Sequence, residues 1–210
     1  VAGLIKVKPM IHTWQANRHD GVVTVVTFLL TLALAPELEM GILVGMLLSL
    51  ALLLFRLMKP RVVFPTHEEH LLPEEARGSQ VLEEGYIVRM RFEGSLVFAN
   101  VAFFEEQLQK LLASTPHLKV LIIDGVSIRE VDASGNEMLR DYYRRLTESG
   151  IHVLFTRFKG PIMEVFKRSH MFDDIDANNF HRKPVDVFRH AWELLSDDRE
   201  EVSAGDSVKI

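Results

Sequence analysis

Hydrophobic and polar residues follow two different patterns along this chain. Across residues 22–57 the only charged side chains are Glu37, Glu39 and Arg56. Residues 22–35 carry no charge, Pro36-Glu37-Leu38-Glu39 interrupts the run, and residues 40–55 are apolar again. Proline disfavours helix in the residue before it and suits the first turn of a new one. The pattern therefore predicts two helices, together spanning residues 21–58, joined by a tight acidic turn at 36–39. At a rise of about 1.5 Å per residue they reach roughly 21 and 24–27 Å, short against a bilayer core of roughly 30 Å. Neither has the polar stripe of an amphipathic helix, which suits burial in lipid or among other helices. A hairpin inside a soluble core is the competing reading. A signal peptide fits less well, because the run is too long and no cleavage site follows; Val1 suggests a piece of a longer protein.

After residue 58 the pattern changes. Residues 59–78 read as a polar linker. Residues 86–92 alternate apolar and basic, as a half-buried strand does, and Ser95-Leu96-Val97-Phe98 reads as a second short strand after a Glu93-Gly94 turn. Asn100 is placed to cap a helix over residues 101–113. Residues 119–124 and 151–155 are nearly all apolar, as central strands covered on both faces are. Helices are expected over residues 136–149, stopping at Gly150, over 160–170 behind Pro161, and from Pro184 to about Ser196. The acidic tail, residues 198–210, is expected to be flexible. Strands alternating with helices over about 120 residues predict a small mixed α/β sheet flanked by helices, long enough to bury its own core.

Composition sharpens this division. The chain has 210 residues, 48% hydrophobic and 25% charged, with no cysteine, so disulfides, cysteine-ligated metals and thiol chemistry are excluded. A mean hydropathy of +0.10 is high for a chain so charged. Residues 1–61 hold six Lys+Arg against three Asp+Glu, whereas residues 62–210 hold 18 against 26. The overall charge of −5 argues against a nucleic-acid surface. Lys6, Lys8 and Arg18 precede the apolar hairpin, Arg56, Lys59 and Arg61 follow it, and its turn carries only acids. The positive-inside rule places both ends, including a connector over residues 1–20, on the cytoplasmic side.

The segment Asp132-Ala133-Ser134-Gly135 lies where a central-strand unit hands over to a helix. Read mechanically, Ser134 is an N-cap and Glu137 completes a capping box, so that Ser134→Ala should cost about 1 kcal/mol. Read functionally, a serine at a helix N-terminus is exposed, and phosphate there gains from the amides while repelling Asp132.

Asp-x-Ser-Gly after an Ile-Ile-Asp strand and before an amphipathic helix resembles the STAS domain. Arg18-His19-Asp20-Gly21-Val22-Val23 and Glu39-Met40-Gly41-Ile42-Leu43-Val44-Gly45 resemble the last two membrane segments of sulfate permease (SulP) family anion transporters, whose cytoplasmic C-terminus is a STAS domain. The resemblance implies two short transmembrane helices over residues 21–58, a linker over 59–78 and a STAS domain over 79–197. It implies a multi-pass cell-membrane protein with the STAS domain cytoplasmic, acting in regulation, dimerisation and stability rather than catalysis. Ser134 is then the possible phosphoacceptor of a regulatory loop with Asp132, Ala133 and Gly135. Implied partners are membrane lipid, the rest of the transporter's membrane domain, a second copy of the chain and a soluble cytoplasmic regulatory protein. No cofactor, metal or nucleic acid is implied. In the family the anion site is built from earlier helices, so no transport-site residue carries over. The runner-up is a membrane-tethered signalling module resembling an anti-sigma-factor antagonist, in whose relatives the matching serine is phosphorylated.

Other constellations carry less. His67-Glu68-Glu69-His70 lacks the spacing of a zincin motif. His152 alternates within a strand. Asp173, Asp174, Asp176 and Asn178 do not match an EF-hand loop. Asp124 and Asp132 form a conceivable acid–base pair without an evident pocket. Arg140, Arg144 and Arg145 are expected to form a solvated face.

Overall fold

The computed structural model describes residues 21, 25, 26, 28, 29, 38–65, 68–77, 82 and 84–207. The chain divides into two compact units, Val1–Leu57 and Met58–Ile210.

In the first unit the expected helix over residues 22–35 lies largely outside the described residues, although Gly21, Val25, Val26, Phe28 and Leu29 are helical. Helix α1 runs over Leu38–Met58. It begins inside the expected turn, so Leu38 and Glu39 are helical, with Glu39 in the favourable first turn. Its Ile42, Leu43, Met46, Leu47, Leu50, Leu53, Leu54 and Phe55 are all exposed. Among the described residues no helix is long and apolar enough to cross a membrane.

The second unit is a five-stranded sheet: β1 (Arg61–Val63), β2 (Ile87–Glu93), β3 (Val120–Asp124), β4 (His152–Thr156) and β5 (Phe180–His181). The spatial order equals the chain order; β1 is antiparallel to β2 and the other pairs are parallel. The parallel connections are made through α2 (Phe98–Ser114), α3 (Ala133–Glu148) and α4 (Gly160–Arg168), while α5 (Pro184–Ser207) follows β5.

Alternation along the strands sorts their side chains between two cores. Met90, Phe92, Leu121, Ile123, Val153 and Phe155 pack with residues of α2, α3 and α4. Ile87, Val120, Ile122 and Leu154 pack with Val187, Phe188, Ala191 and Leu195 of α5. Strands β3 and β4 read as unbroken apolar runs because both faces are covered.

Several boundaries differ from expectation. The polar linker contains edge strand β1 and short 3-10 turns at Glu69–Leu71 and Glu74–Ala76. Leu72 and Ala76 of that stretch enter the second core. The strand expected at Ser95–Phe98 is reduced to a single parallel bridge between Leu96 and Val131, since Phe98 already belongs to α2. The acidic tail continues α5 as helix to Ser207 rather than leaving it; residues 208–210 lie outside the described set. Gly150 does end α3. It adopts φ 76°, its N–H donates to the Thr147 carbonyl, and the Ile151 N–H donates to that of Leu146, a Schellman closure.

Candidate functional site

The loop singled out by the sequence lies where two helices start. Asp132 is the N-cap of α3, and its Oδ1 accepts from the Gly135 N–H at 2.8 Å. Its Oδ2 accepts from the N–H of Phe98, the first residue of α2, also at 2.8 Å. One carboxylate therefore satisfies an orphan donor at each of two helix N-termini and sits in the favourable field of both.

Neighbouring contacts hold this arrangement. The Leu96 N–H donates to the Glu130 carbonyl and the Asp132 N–H to that of Leu96, at 2.9 and 3.0 Å. Buried Asn100 accepts from the Val97 N–H at 3.1 Å through Oδ1 and donates to the Ser95 carbonyl at 2.7 Å. Asn100 is thus not the N-cap of α2 but a residue of its first turn that bonds back to the entering chain. Gly135 is required by close approach, because a Cβ there would lie 2.3 Å from the Leu96 carbonyl oxygen.

The expected capping role of Ser134 is corrected by this geometry. With Asp132 as cap, Ser134 occupies the first turn of α3 and Glu137 is not placed to complete a capping box. Ser134 is half-buried, Ala133 is exposed, and the Ser134 hydroxyl makes no hydrogen bond among the described residues. Phe98, 80% exposed, stands at the start of the helix capped by the same aspartate.

A second polar centre went unrecognised in the sequence. Strand register sets Arg91 beside Asp124, Asp124 beside Thr156, and Thr156 beside His181. This polar row crosses four strands at their C-terminal ends. Asp124 is fully buried, and it accepts from Arg91 Nε at 2.9 Å, from Arg157 Nε at 3.0 Å, again from the Arg157 guanidinium, and from the Val126 N–H at 3.1 Å. Burial pushes its carboxyl pKa up, but the hydrogen bonds from Arg157 and Arg91 outweigh that and hold it below the usual value. Arg89, two residues before Arg91 on β2, pairs with buried Glu68 and lies 5.9 Å from the Phe188 ring centroid. Burial raises the Glu68 pKa and lowers that of Arg89, each against the pull of its partner. Asp124 and Asp132 share no hydrogen-bond partner. The sequence signal was the lone Asp closing an apolar strand, with an arginine at the matching register on β2.

The discounted constellations resolve as follows. His67 lies outside the described residues, Glu68 engages Arg89, and no group of three metal-ligating side chains occurs among the described residues. Arg140 departs from the expected solvated face: it is only 20% exposed and bonds Asp174 at 2.8 Å and the Ser169 carbonyl, pinning α3 to the loop after α4. Arg144 and Arg145 are exposed and share Asp141. Asp176 accepts from the Asn178 N–H within its own turn.

Comparison with known proteins places this geometry in context. Residues 79–186 match the model of the STAS domain. Low affinity sulfate transporter 3 of Stylosanthes hamata is 24% identical over 187 residues, covering 82% of this chain and 29% of its own length. Sulfate transporter 1.2 of Arabidopsis thaliana is 22% identical over 213 residues, covering 94% of this chain and 32% of its own. The chain thus spans about a third of the curated relatives it matches. Among solved structures, the murine solute carrier 26 family member A9 anion transporter, in its inward-facing state, superposes with a TM-score of 0.69 at 18% identity, over 87% of this chain and 30% of that one.

Proposed function

Because this chain belongs to the STAS domain family, we propose that it is the C-terminal, regulatory part of a secondary anion transporter. The carrying observation is that likeness to the sulfate transporters extends over as much as 94% of the chain, well beyond the 79–186 domain match. The exposed leucines, isoleucine and methionines of α1 support the same reading. Apolar surface on that scale calls for lipid or other helices as neighbours. In this reading the helices over residues 21–58 sit in the cell membrane among the transporter's remaining helices, which compensate for their shortness. The STAS domain lies on the cytoplasmic side and contributes regulation, stability and dimer formation. It performs no catalysis, and the anion site belongs to the rest of the membrane domain.

Regulation centres on Ser134 and the loop Asp132, Ala133 and Gly135. A phosphate on Ser134 would add charge beside a carboxylate that already holds the first amides of α2 and α3. Competition for those donors would loosen both helix starts together, and Phe98 would move with them.

The test is sulfate uptake by the protein translated from its whole reading frame. Uptake above background, from a frame with about a dozen earlier apolar segments, supports the transporter. A frame that starts near Val1, with no uptake, returns the chain to the membrane-tethered signalling alternative.

A further inference from the structure

The second unit is acidic overall, yet one corner of it is strongly basic. Residues 157–168 and 180–183 contain Arg157, Lys159, Lys167, Arg168, Arg182 and Lys183 against the single acid Glu164. Nothing in the sequence joins these two stretches. The β4–β5 pairing does, and the Arg157 N–H donates to the His181 carbonyl at 3.0 Å.

Between α4 and the turn after β5 lies a cleft of about 690 Å³. Its apolar wall includes Phe158 and Phe180, and Lys159, Lys167 and Arg182 stand around it. The cations differ in availability. Arg157 is committed to Asp124, and Lys167 bonds Glu164 at 2.8 Å. Lys159 and Arg182 are exposed, and neither side chain has a hydrogen-bond or ion-pair partner among the described residues.

We propose that this cleft binds a phosphate-bearing anion, with Lys159 and Arg182 on the phosphate oxygens and the organic part of the ligand on Phe158 and Phe180. Two free cations and one shared cation match a group with two or more negative charges better than a single carboxylate. A guanidinium fork fits phosphate oxygens bidentately while an ammonium adds a point charge. Clefts outside the carboxyl ends of parallel strands are where open α/β sheets commonly take ligands.

The chemistry is common to a free phosphate compound and to a lipid headgroup, so the test has two arms. The 210-residue chain in neutral detergent is titrated calorimetrically with inorganic pyrophosphate and, separately, with dioctanoyl phosphatidylinositol bisphosphate. Lys159→Glu/Arg182→Glu should weaken binding at least about tenfold, as expected for the loss of two charge-assisted contacts. Arg129→Glu/Arg145→Glu, an equal charge change elsewhere, should leave it within about twofold if screening confines the effect to the site. Lys159→Gln/Arg182→Gln repeats the measurement if the reversed pair disturbs folding, judged by circular dichroism. Binding of pyrophosphate with this pattern identifies a soluble phosphate ligand; binding of the lipid alone identifies a headgroup. Binding of neither probe, or equal weakening by the control pair, overturns the proposal.

Discussion

The carboxylate of Asp132 accepts from the backbone N–H of Phe98, 34 residues earlier in the chain, and so ties the start of α2 to the start of α3. Its other oxygen caps α3 through Gly135. Asp132→Ala should therefore lose two caps at once and destabilise the domain by about 2 kcal/mol, taking each cap as roughly 1 kcal/mol. Asp132→Asn, with one acceptor oxygen, should fall between. Ser134→Ala, which removes no cap, should stay within about 0.5 kcal/mol of wild type. Urea unfolding of the three variants checks the order; a loss at Ser134 equal to that at Asp132 would contradict it.

Gly135→Ala tests the close approach of α3 to the bridge at Leu96. The added methyl group would meet a backbone oxygen at 2.3 Å, and backbone cannot swing aside as a side chain can. A loss of about 1–3 kcal/mol is expected, typical of overpacking. An unchanged melting temperature would show that the helix can shift freely.

Asp124→Asn keeps the side-chain shape but removes the only anion bonded to Arg91 and Arg157 among the described residues. Asp124 is buried but the two guanidiniums are each 25% exposed, so water offsets part of the loss and about 1–3 kcal/mol should be lost. The same carboxylate gives an acid limb to stability. Its folded pKa lies below the ordinary 3.8, so its contribution is complete above that value and disappears as pH falls through the depressed one. Asp124→Asn should flatten this limb in equilibrium melts, and a limb of undiminished steepness would assign it to other groups.

The His181 and His190 rings approach to 2.9 Å, nitrogen to nitrogen, linking β5 to α5. Burial first, and the second imidazole next, press the His181 pKa below 6.5, while Asp186 and Glu193 pull the other way. A base whose pKa falls on folding favours the folded state when neutral. Its contribution is whole above 6.5 and declines as pH falls toward the depressed value. The melting temperature should drop between about pH 7.5 and about pH 5.5, and His190→Gln should reduce that drop by removing the like charge. An identical pH slope in wild type and variant would rule out the pair as its source.

Within the transporter reading, Ser134→Asp should alter anion uptake by the full-length protein while the domain keeps its circular dichroism spectrum. Equal uptake by wild type, Ser134→Ala and Ser134→Asp would remove Ser134 from regulation.

The strand–helix succession was largely legible because the central strands and the helices announce themselves locally. β3 and β4 are short apolar runs, Gly150 ends a helix through a positive φ, and Pro161 and Pro184 lie at helix starts. Even the Asp-Ala-Ser-Gly loop could be placed at a helix start from its residue types. Its internal roles could not. Asp and Ser are comparable N-caps in isolation, and the choice between them turned on the Phe98 amide, which only the folded chain brings to Asp132. Edge strands β1 and β5, three and two residues long, carry too few positions to show alternation, so pairing with a neighbour alone defines them. The row Arg91, Asp124, Thr156 and His181 depends on register between four strands, and the basic corner depends on β4 meeting β5. The sequence by itself determined the apolar first unit, the α/β pattern of the second and the position of the loop, because periodicity, proline and glycine act within a few residues. The tertiary structure decided which carboxylate caps, which charges are buried together and which stay free, because those outcomes rest on groups far apart in the chain and on desolvation that exists only after packing.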